Sequence, residues 1–153
     1  MSHDSATTTD RAWMAEAIEL SRKCPPSEGA FSVGAIIVDA DGNEISRGYS
    51  RENDPHVHAE EAALAKLTAD DSRLAGATIY STLEPCSQRR SERRTCSQLV
   101  LRSGIRRVVI AWREPDTFVD CVGVEDLRIE GVTVMELPDM QEQARTVNAH
   151  LLG

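Results

Sequence analysis

The chain has 153 residues, the length of one ordinary domain, and its formal net charge is −8. An acidic chain repels a phosphate backbone, which argues against a nucleic acid as partner. No segment is long and apolar enough to span a bilayer, and residues 1–10 lack the apolar core of a signal peptide. We therefore expect no membrane partner, a disordered leader at 1–10, one domain at 11–153 and a cytoplasmic location.

The hydrophobic pattern predicts a hairpin followed by strands that alternate with helices. A first helix starts after Asp10, interpreted as its N-cap, and ends at Cys24-Pro25-Pro26. The apolar run 33–38 predicts a buried strand, and Asp41-Gly42 predicts a turn into a return strand at 44–49. The remaining pattern predicts helices at 58–69, 96–103, 124–129 and 139–151, with strands at 78–81, 107–111 and 132–137.

This order of elements predicts an α/β fold, a three-layer α/β/α sandwich on a mixed five-stranded sheet. The later strands are expected to be parallel. Ligands of such sheets bind beyond the carboxyl ends of the strands. Two polar motifs, one at His58 and one at Cys86, follow predicted strands closely, so we expect them to meet at that edge.

Three fragments predict a metal site: His58-Ala59-Glu60, Pro85-Cys86 and Cys96. One imidazole and two thiolates are good ligands for tetrahedral zinc, and three protein ligands leave the fourth position for water, as in catalytic sites. Cys96 opens a predicted helix, whose N-terminus favours the thiolate. A structural zinc site would need a fourth ligand, and His56 is the nearby candidate.

Glu60 is the predicted catalytic residue, because it lies near the expected metal without being a ligand. Zinc lowers the pKa of a bound water towards about 7, and a carboxylate beside it can move protons. His-x-Glu followed by Pro-Cys and a second cysteine is the signature of zinc deaminases, which replace an exocyclic amino group with oxygen. The sequence thus predicts Zn²⁺ as cofactor, with a small amino-heterocycle and water as substrates.

With these motifs the chain resembles the cytidine-deaminase-like superfamily, most closely the deaminase half of bifunctional riboflavin-biosynthesis deaminase/reductases. The resemblance covers about residues 11–150 and includes Val33-Gly-Ala-Ile-Ile-Val, Leu83-Glu-Pro-Cys-Ser and Gly131-Val-Thr-Val. It implies the α/β/α deaminase fold, zinc ligation by His58, Cys86 and Cys96, and Glu60 as proton shuttle. It also implies assembly, so we expect a homodimer.

The sequence departs from the riboflavin-type pattern around the expected pocket. Nine residues separate Cys86 from Cys96, as in the long loop of that branch, but their sequence differs. Ala30-Phe31-Ser32 stands where the riboflavin enzymes have Asn-Pro, and Ser50 stands where many relatives have Asn. The substrate is therefore open: an aminopyrimidine as in riboflavin biosynthesis, or a free base, nucleoside or aminotriazine. A non-catalytic zinc-stabilised interaction module is the alternative from another class.

Candidate substrate contacts lie within or beside these motifs. Arg89 and Arg90, with the arginines that follow at 93 and 94, form either a clamp for phosphate or carboxylate or a solvated loop. Phe31 and Trp112 either stack on a planar ring or pack in the core. Cys121 either lines the pocket or is a buried thiol. The full set of predicted contacts is Phe31, Ser50, His56, Ala59, Glu84, Pro85, Arg89, Arg90 and Trp112.

Overall fold

A computed structural model describes residues 7–87, 94–113 and 122–152. Its helices are α1 (Thr8–Ser21), α2 (Ala59–Ala65), α3 (Cys96–Ser103), α4 (Gly123–Ile129) and α5 (Gln141–Thr146). Its strands are β1 (Gly34–Val38), β2 (Glu44–Tyr49), β3 (Thr78–Ser81), β4 (Arg107–Ile110) and β5 (Thr133–Glu136). Short 3₁₀ turns occupy Leu74–Gly76, Pro138–Met140 and Ala149–Leu151. Within the described residues, no helix combines the length and apolarity that crossing a membrane requires.

The five strands form one mixed sheet in the order β2-β1-β3-β4-β5, which confirms the predicted sheet. β1 is antiparallel to both β2 and β3, whereas β3, β4 and β5 are mutually parallel. Because β1 runs against the other four strands, those four end at the edge where β1 begins. This edge is where the sequence places the metal motifs.

Two glycines on neighbouring strands establish that helices cover both faces of the sheet. A Cβ at Gly34 would lie 2.0 Å from the carbonyl oxygen of Ala17 in α1, and a Cβ at Gly48 would lie 2.5 Å from the amide nitrogen of Ala63 in α2. Gly48 pairs with Ala35 and so faces the same side of the sheet as that residue. Gly34 precedes Ala35, and successive strand residues face opposite sides. Hence α1 and α2 pack on opposite faces, and the predicted three-layer sandwich is confirmed.

The first helix begins earlier than predicted. Thr7 is the N-cap, and its hydroxyl accepts a hydrogen bond from the Asp10 amide while the Asp10 carboxylate accepts one from the Thr7 amide, which forms a capping box. The interpretation of Asp10 as N-cap is thus wrong, and the predicted leader at 1–10 overlaps α1. Asp10 is instead buried, where it accepts hydrogen bonds from Tyr80 and Arg107.

Two other predicted helices are shorter in the structure. α2 ends at Ala65 rather than at 69. The predicted helix at 139–151 is broken into a 3₁₀ turn, α5 and a second 3₁₀ turn. Asn148 lies at the second break, with φ −110° and ψ 18°, and its buried side chain bonds the backbone of Ser32. The second break thus coincides with this long-range contact.

Candidate metal centre

The structure brings His58, Cys86 and Cys96 together at the predicted edge. Their ligand atoms all lie within 4.8 Å of one another. His58 Nδ1 is 3.3 Å from Cys96 Sγ and 3.6 Å from Cys86 Sγ. A tetrahedral zinc ion holds nitrogen and sulfur ligands about 3.5 Å apart, given bond lengths of about 2.0 and 2.3 Å. The donor set and its spacing therefore fit Zn²⁺.

Each predicted ligand lies at or near the end of a secondary-structure element. His58 is the N-cap of α2, in an extended conformation, and Cys86 follows β3 closely. Cys96 is the first residue of α3, whose N-cap Thr95 forms a capping box with Gln98.

Cys86 is prepared for metal binding as a thiolate. Hydrogen bonding from Cys96, followed by that from the His58 ring, outweighs burial and lowers the pKa of the Cys86 thiol to about 4. The backbone amide of Cys96 also donates to Cys86 Sγ at 3.2 Å. The thiolate is the form that binds zinc.

Glu60 lies in the first turn of α2, two residues after His58, and is 4% exposed. Burial, followed by the negative charge of Cys86, raises the pKa of this carboxyl above its usual value. Its Oε2 lies 3.2 Å from the hydroxyl of Ser81, which also donates to the Leu83 carbonyl at 2.8 Å. A buried carboxyl of raised pKa beside a metal site has the properties of a proton-transfer group. Ser81, at the end of β3, is a contact that sequence analysis missed.

His56 does not join the metal cluster among the described residues. It is exposed, and its amide donates to Asp54 Oδ1 at 2.7 Å. Within 7–87, 94–113 and 122–152 the cluster thus has three protein ligands, and His56 is not the fourth that a structural zinc site would need.

Several predicted substrate contacts are buried and bonded within the protein. Phe31 and Trp112 meet edge to face with ring centroids 5.2 Å apart. The Ser50 hydroxyl accepts a hydrogen bond from the Val33 amide at 3.0 Å, and Glu84 Oε2 accepts one from Val124 at 2.9 Å.

Ala59 and Pro85 are buried beside two ligands, His58 and Cys86. Direct substrate contact by any of these seven residues, His56 included, stays a prediction. Arg89, Arg90 and Cys121 lie outside the described residues.

The structure adds a segment at the same edge, residues 25–32, which we call the rim segment. It leads directly into β1, where the Gly34 amide donates to Thr82 Oγ1 at 3.2 Å, next to the Glu60 contact at Ser81. Two side chains from later in the sequence fix the rim segment, Arg51 and Asn148. Neither residue belongs to a sequence motif that could have indicated this role.

Arg51 and Asn148 bind the rim segment mainly through its backbone. The Arg51 guanidinium donates to Pro25 O at 2.7 Å, Phe31 O at 3.2 Å and Ser32 Oγ at 2.8 Å. Asn148 accepts from the Ser32 amide at 2.6 Å and donates to the Ser32 carbonyl at 3.0 Å. Arg51 has φ 61°, a strained conformation for a residue with a side chain, and such strain is concentrated at functional sites.

Comparison with known proteins gives consistent matches. Residues 7–112 match the family described as the cytidine and deoxycytidylate deaminase zinc-binding region. The chain is 42% identical over 132 residues to a diaminohydroxyphosphoribosylamino-pyrimidine deaminase of Schizosaccharomyces pombe, covering 85% of this chain and 32% of that protein. It is 31% identical to a cytosine deaminase of Candida albicans, covering 88% of this chain and 85% of that protein.

A crystal structure from Thermotoga maritima, a diaminohydroxyphosphoribosylaminopyrimidine deaminase/5-amino-6-(5-phosphoribosylamino)uracil reductase, has the same fold. It superposes with a TM-score of 0.75 at 32% identity, covering 91% of this chain and 39% of that one. The chain therefore spans about a third of the length of the S. pombe relative and about two fifths of the T. maritima protein.

Proposed function

Because the chain belongs to the zinc-binding family of cytidine and deoxycytidylate deaminases, we propose that it removes an exocyclic amino group from a small nitrogen heterocycle by hydrolysis. The observation that carries this proposal is the buried Glu60 carboxyl beside the His58, Cys86 and Cys96 cluster. A structural zinc site does not need such a group. Glu60 therefore also argues against the non-catalytic module.

We assign the metal to His58, Cys86 and Cys96 and the proton transfers to Glu60. Zinc, when bound, supplies Lewis-acid activation of the attacking water. Glu60 accepts a proton as water adds to the amino-bearing carbon, and it delivers this proton to the ring nitrogen. It then accepts the proton of the newly added hydroxyl and delivers it to the amine, which leaves as ammonia when the C–N bond breaks and the C=O bond forms. Water and the amino compound become the oxo compound and ammonia. The raised pKa of Glu60 suits both halves of this cycle, since an effective shuttle has a pKa nearer the working pH.

The proposed substrate is a diaminohydroxypyrimidine that carries a phosphoribosylamino group. The 42% identity to the S. pombe deaminase and the nine residues between Cys86 and Cys96 support it. We propose that Arg89 and Arg90 in this loop bind the substrate phosphate, because guanidinium groups form paired hydrogen bonds with phosphate oxygens. The loop is joined to a metal ligand at each end.

A free base such as cytosine is the second candidate. The similarity to the C. albicans cytosine deaminase supports it, because it extends over 85% of that protein. Ser50 also stands where many relatives have the Asn that helps hold the substrate. In the structure its hydroxyl is bonded to the backbone of Val33. A site without that amide suits a ligand with no ribose to hold.

Ammonia release from three compounds tests the proposal: the phosphoribosylamino pyrimidine, its dephosphorylated form and cytosine. We expect kcat/KM for the first to exceed that for the second roughly tenfold to hundredfold, because a hydrogen bond to a charged group contributes about 1.5–3 kcal/mol. Preference for cytosine would establish the second candidate instead. If the zinc-loaded protein releases ammonia from none of the three, both proposed substrates are wrong.

We also propose that the chain forms one deaminase domain, acts as a homodimer and works in the cytoplasm. The resemblance supports assembly, and light scattering on the purified protein measures it. Cysteine ligands suit a reducing compartment, where thiols stay unpaired. Among the described residues, Cys24, Cys86 and Cys96 form no disulfide bond.

A further inference from the structure

The segment Pro85–Ser87, which we call the ligand turn, is held from two sides. On one side, α3 contacts it directly: the Ser97 amide donates to Cys86 O at 3.0 Å, and the Ser97 hydroxyl donates to Pro85 O at 3.3 Å. This support is expected, because α3 begins with the ligand Cys96. On the other side lies the start of α4, whose described residues include no metal ligand.

Three contacts join the start of α4 to the ligand turn and to the residue before it. The Val124 amide donates to Glu84 Oε2 at 2.9 Å, and the Val122 amide donates to Ser87 Oγ at 2.9 Å. Gly123 lies so close to the turn that a Cβ there would be 1.9 Å from the Pro85 carbonyl oxygen. The start of α4 therefore contacts the chain immediately before and immediately after the ligand Cys86.

Glu84 is fixed through both its backbone and its side chain. Its amide donates to the Trp112 carbonyl at 2.8 Å, beyond the end of β4, and its side chain is 3% exposed. A buried carboxylate is strongly destabilising unless it is hydrogen-bonded. A carboxylate is therefore not expected at a position that serves packing alone. Glu84 instead accepts a directed hydrogen bond from α4, two residues before the ligand Cys86.

We infer that Glu84 is a positioning residue for the metal centre, which with Gly123 and Ser87 anchors the ligand turn to α4 and so fixes the place of Cys86. The inference rests on the proposed zinc site but not on the proposed substrate. It also gives Glu84 a role other than the predicted substrate contact. Groups behind metal ligands that orient them typically change metal affinity about 10- to 100-fold when removed.

The rate of zinc release to a coloured chelator tests this inference without any substrate. Glu84→Ala removes the acceptor of the Val124 bond, whereas Glu84→Gln keeps an oxygen there. We expect release about 10- to 100-fold faster for Glu84→Ala, with most of the wild-type rate restored by Glu84→Gln. Asp10→Ala is the matched control, because Asp10 is also a 3% exposed carboxylate but lies against Arg107 and Tyr80. It should lower thermal stability without faster release.

Ser87→Ala keeps the test decisive if Glu84→Ala does not fold. It deletes only the partly exposed hydroxyl that binds the Val122 amide, and we expect a smaller but measurable increase in the release rate. The inference is overturned if folded Glu84→Ala releases zinc at the wild-type rate. If Glu84→Ala does not fold, the same result for Ser87→Ala overturns it. Equal acceleration by Asp10→Ala would also overturn it, because it would mean that general destabilisation opens the site.

Discussion

The metal cluster and the rim segment share one edge of the sheet but are built in opposite ways. The cluster consists of short motifs at the ends of α2, β3 and α3, with local caps such as Thr95 and Gln98. The rim segment has no regular structure of its own, and Arg51 and Asn148 hold it from 26 and 116 residues away. We therefore expect separate roles: the cluster would provide the chemistry, and the rim segment would shape access to it.

Removing a metal ligand should give the largest effect. We expect Cys96→Ala to reduce zinc from about one ion per chain to almost none, since two protein ligands do not form a catalytic zinc site. Deamination should be lost with the metal. Elemental analysis and ammonia release on the same preparation measure both quantities.

Cys24→Ala provides the matched control for Cys96→Ala. Cys24 is a free, partly buried thiol bonded to the Val33 carbonyl and lies outside the metal cluster. This variant should keep both zinc and activity. Full zinc content in Cys96→Ala would show that the ligand assignment is wrong.

A smaller effect is expected at the rim segment. Arg51→Ala removes the guanidinium that binds Pro25, Phe31 and Ser32. Hydrogen bonds from a charged group stabilise the fixed rim segment by about 1.5–3 kcal/mol. Without them the segment must be ordered when substrate binds, so we expect KM to rise roughly tenfold or more while kcat and zinc content change little. Steady-state kinetics and elemental analysis check this.

Arg51→Lys sharpens the same comparison. Lysine keeps the charge but lacks the planar fork that binds several acceptors at once, so it should not restore KM. Full rescue by lysine would mean that charge alone matters at this position. A drop in kcat or in zinc content for Arg51→Ala would contradict the separation of roles.

The sequence predicted the metal cluster well because its information is local. His58 and Cys96 lie where helix starts are recognisable, and the strand before Cys86 contains Ile79 and Tyr80, residue types that favour strands. The mixed sheet followed from the same local signals, and the family match confirms the resemblance carried by these motifs.

The rim segment was not predictable in this way. The bond between Asn148 and Ser32 depends on how the last helix packs, and the pattern at 139–151 predicted a continuous helix instead. Phe31 and Trp112 illustrate the same limit. Apolar character alone does not distinguish a ring that stacks on a ligand from the buried edge-to-face pair that the structure contains.

Ammonia release by Glu60→Gln tests the central claim most directly. Glutamine has the same shape but does not accept a proton, so this variant should fold, keep its zinc and bind substrate. We predict that kcat falls about 10²- to 10⁴-fold relative to the wild type at equal zinc content, the usual loss for a positioned general acid/base. A rate equal to that of the wild type would contradict the account, because another group would then move the protons.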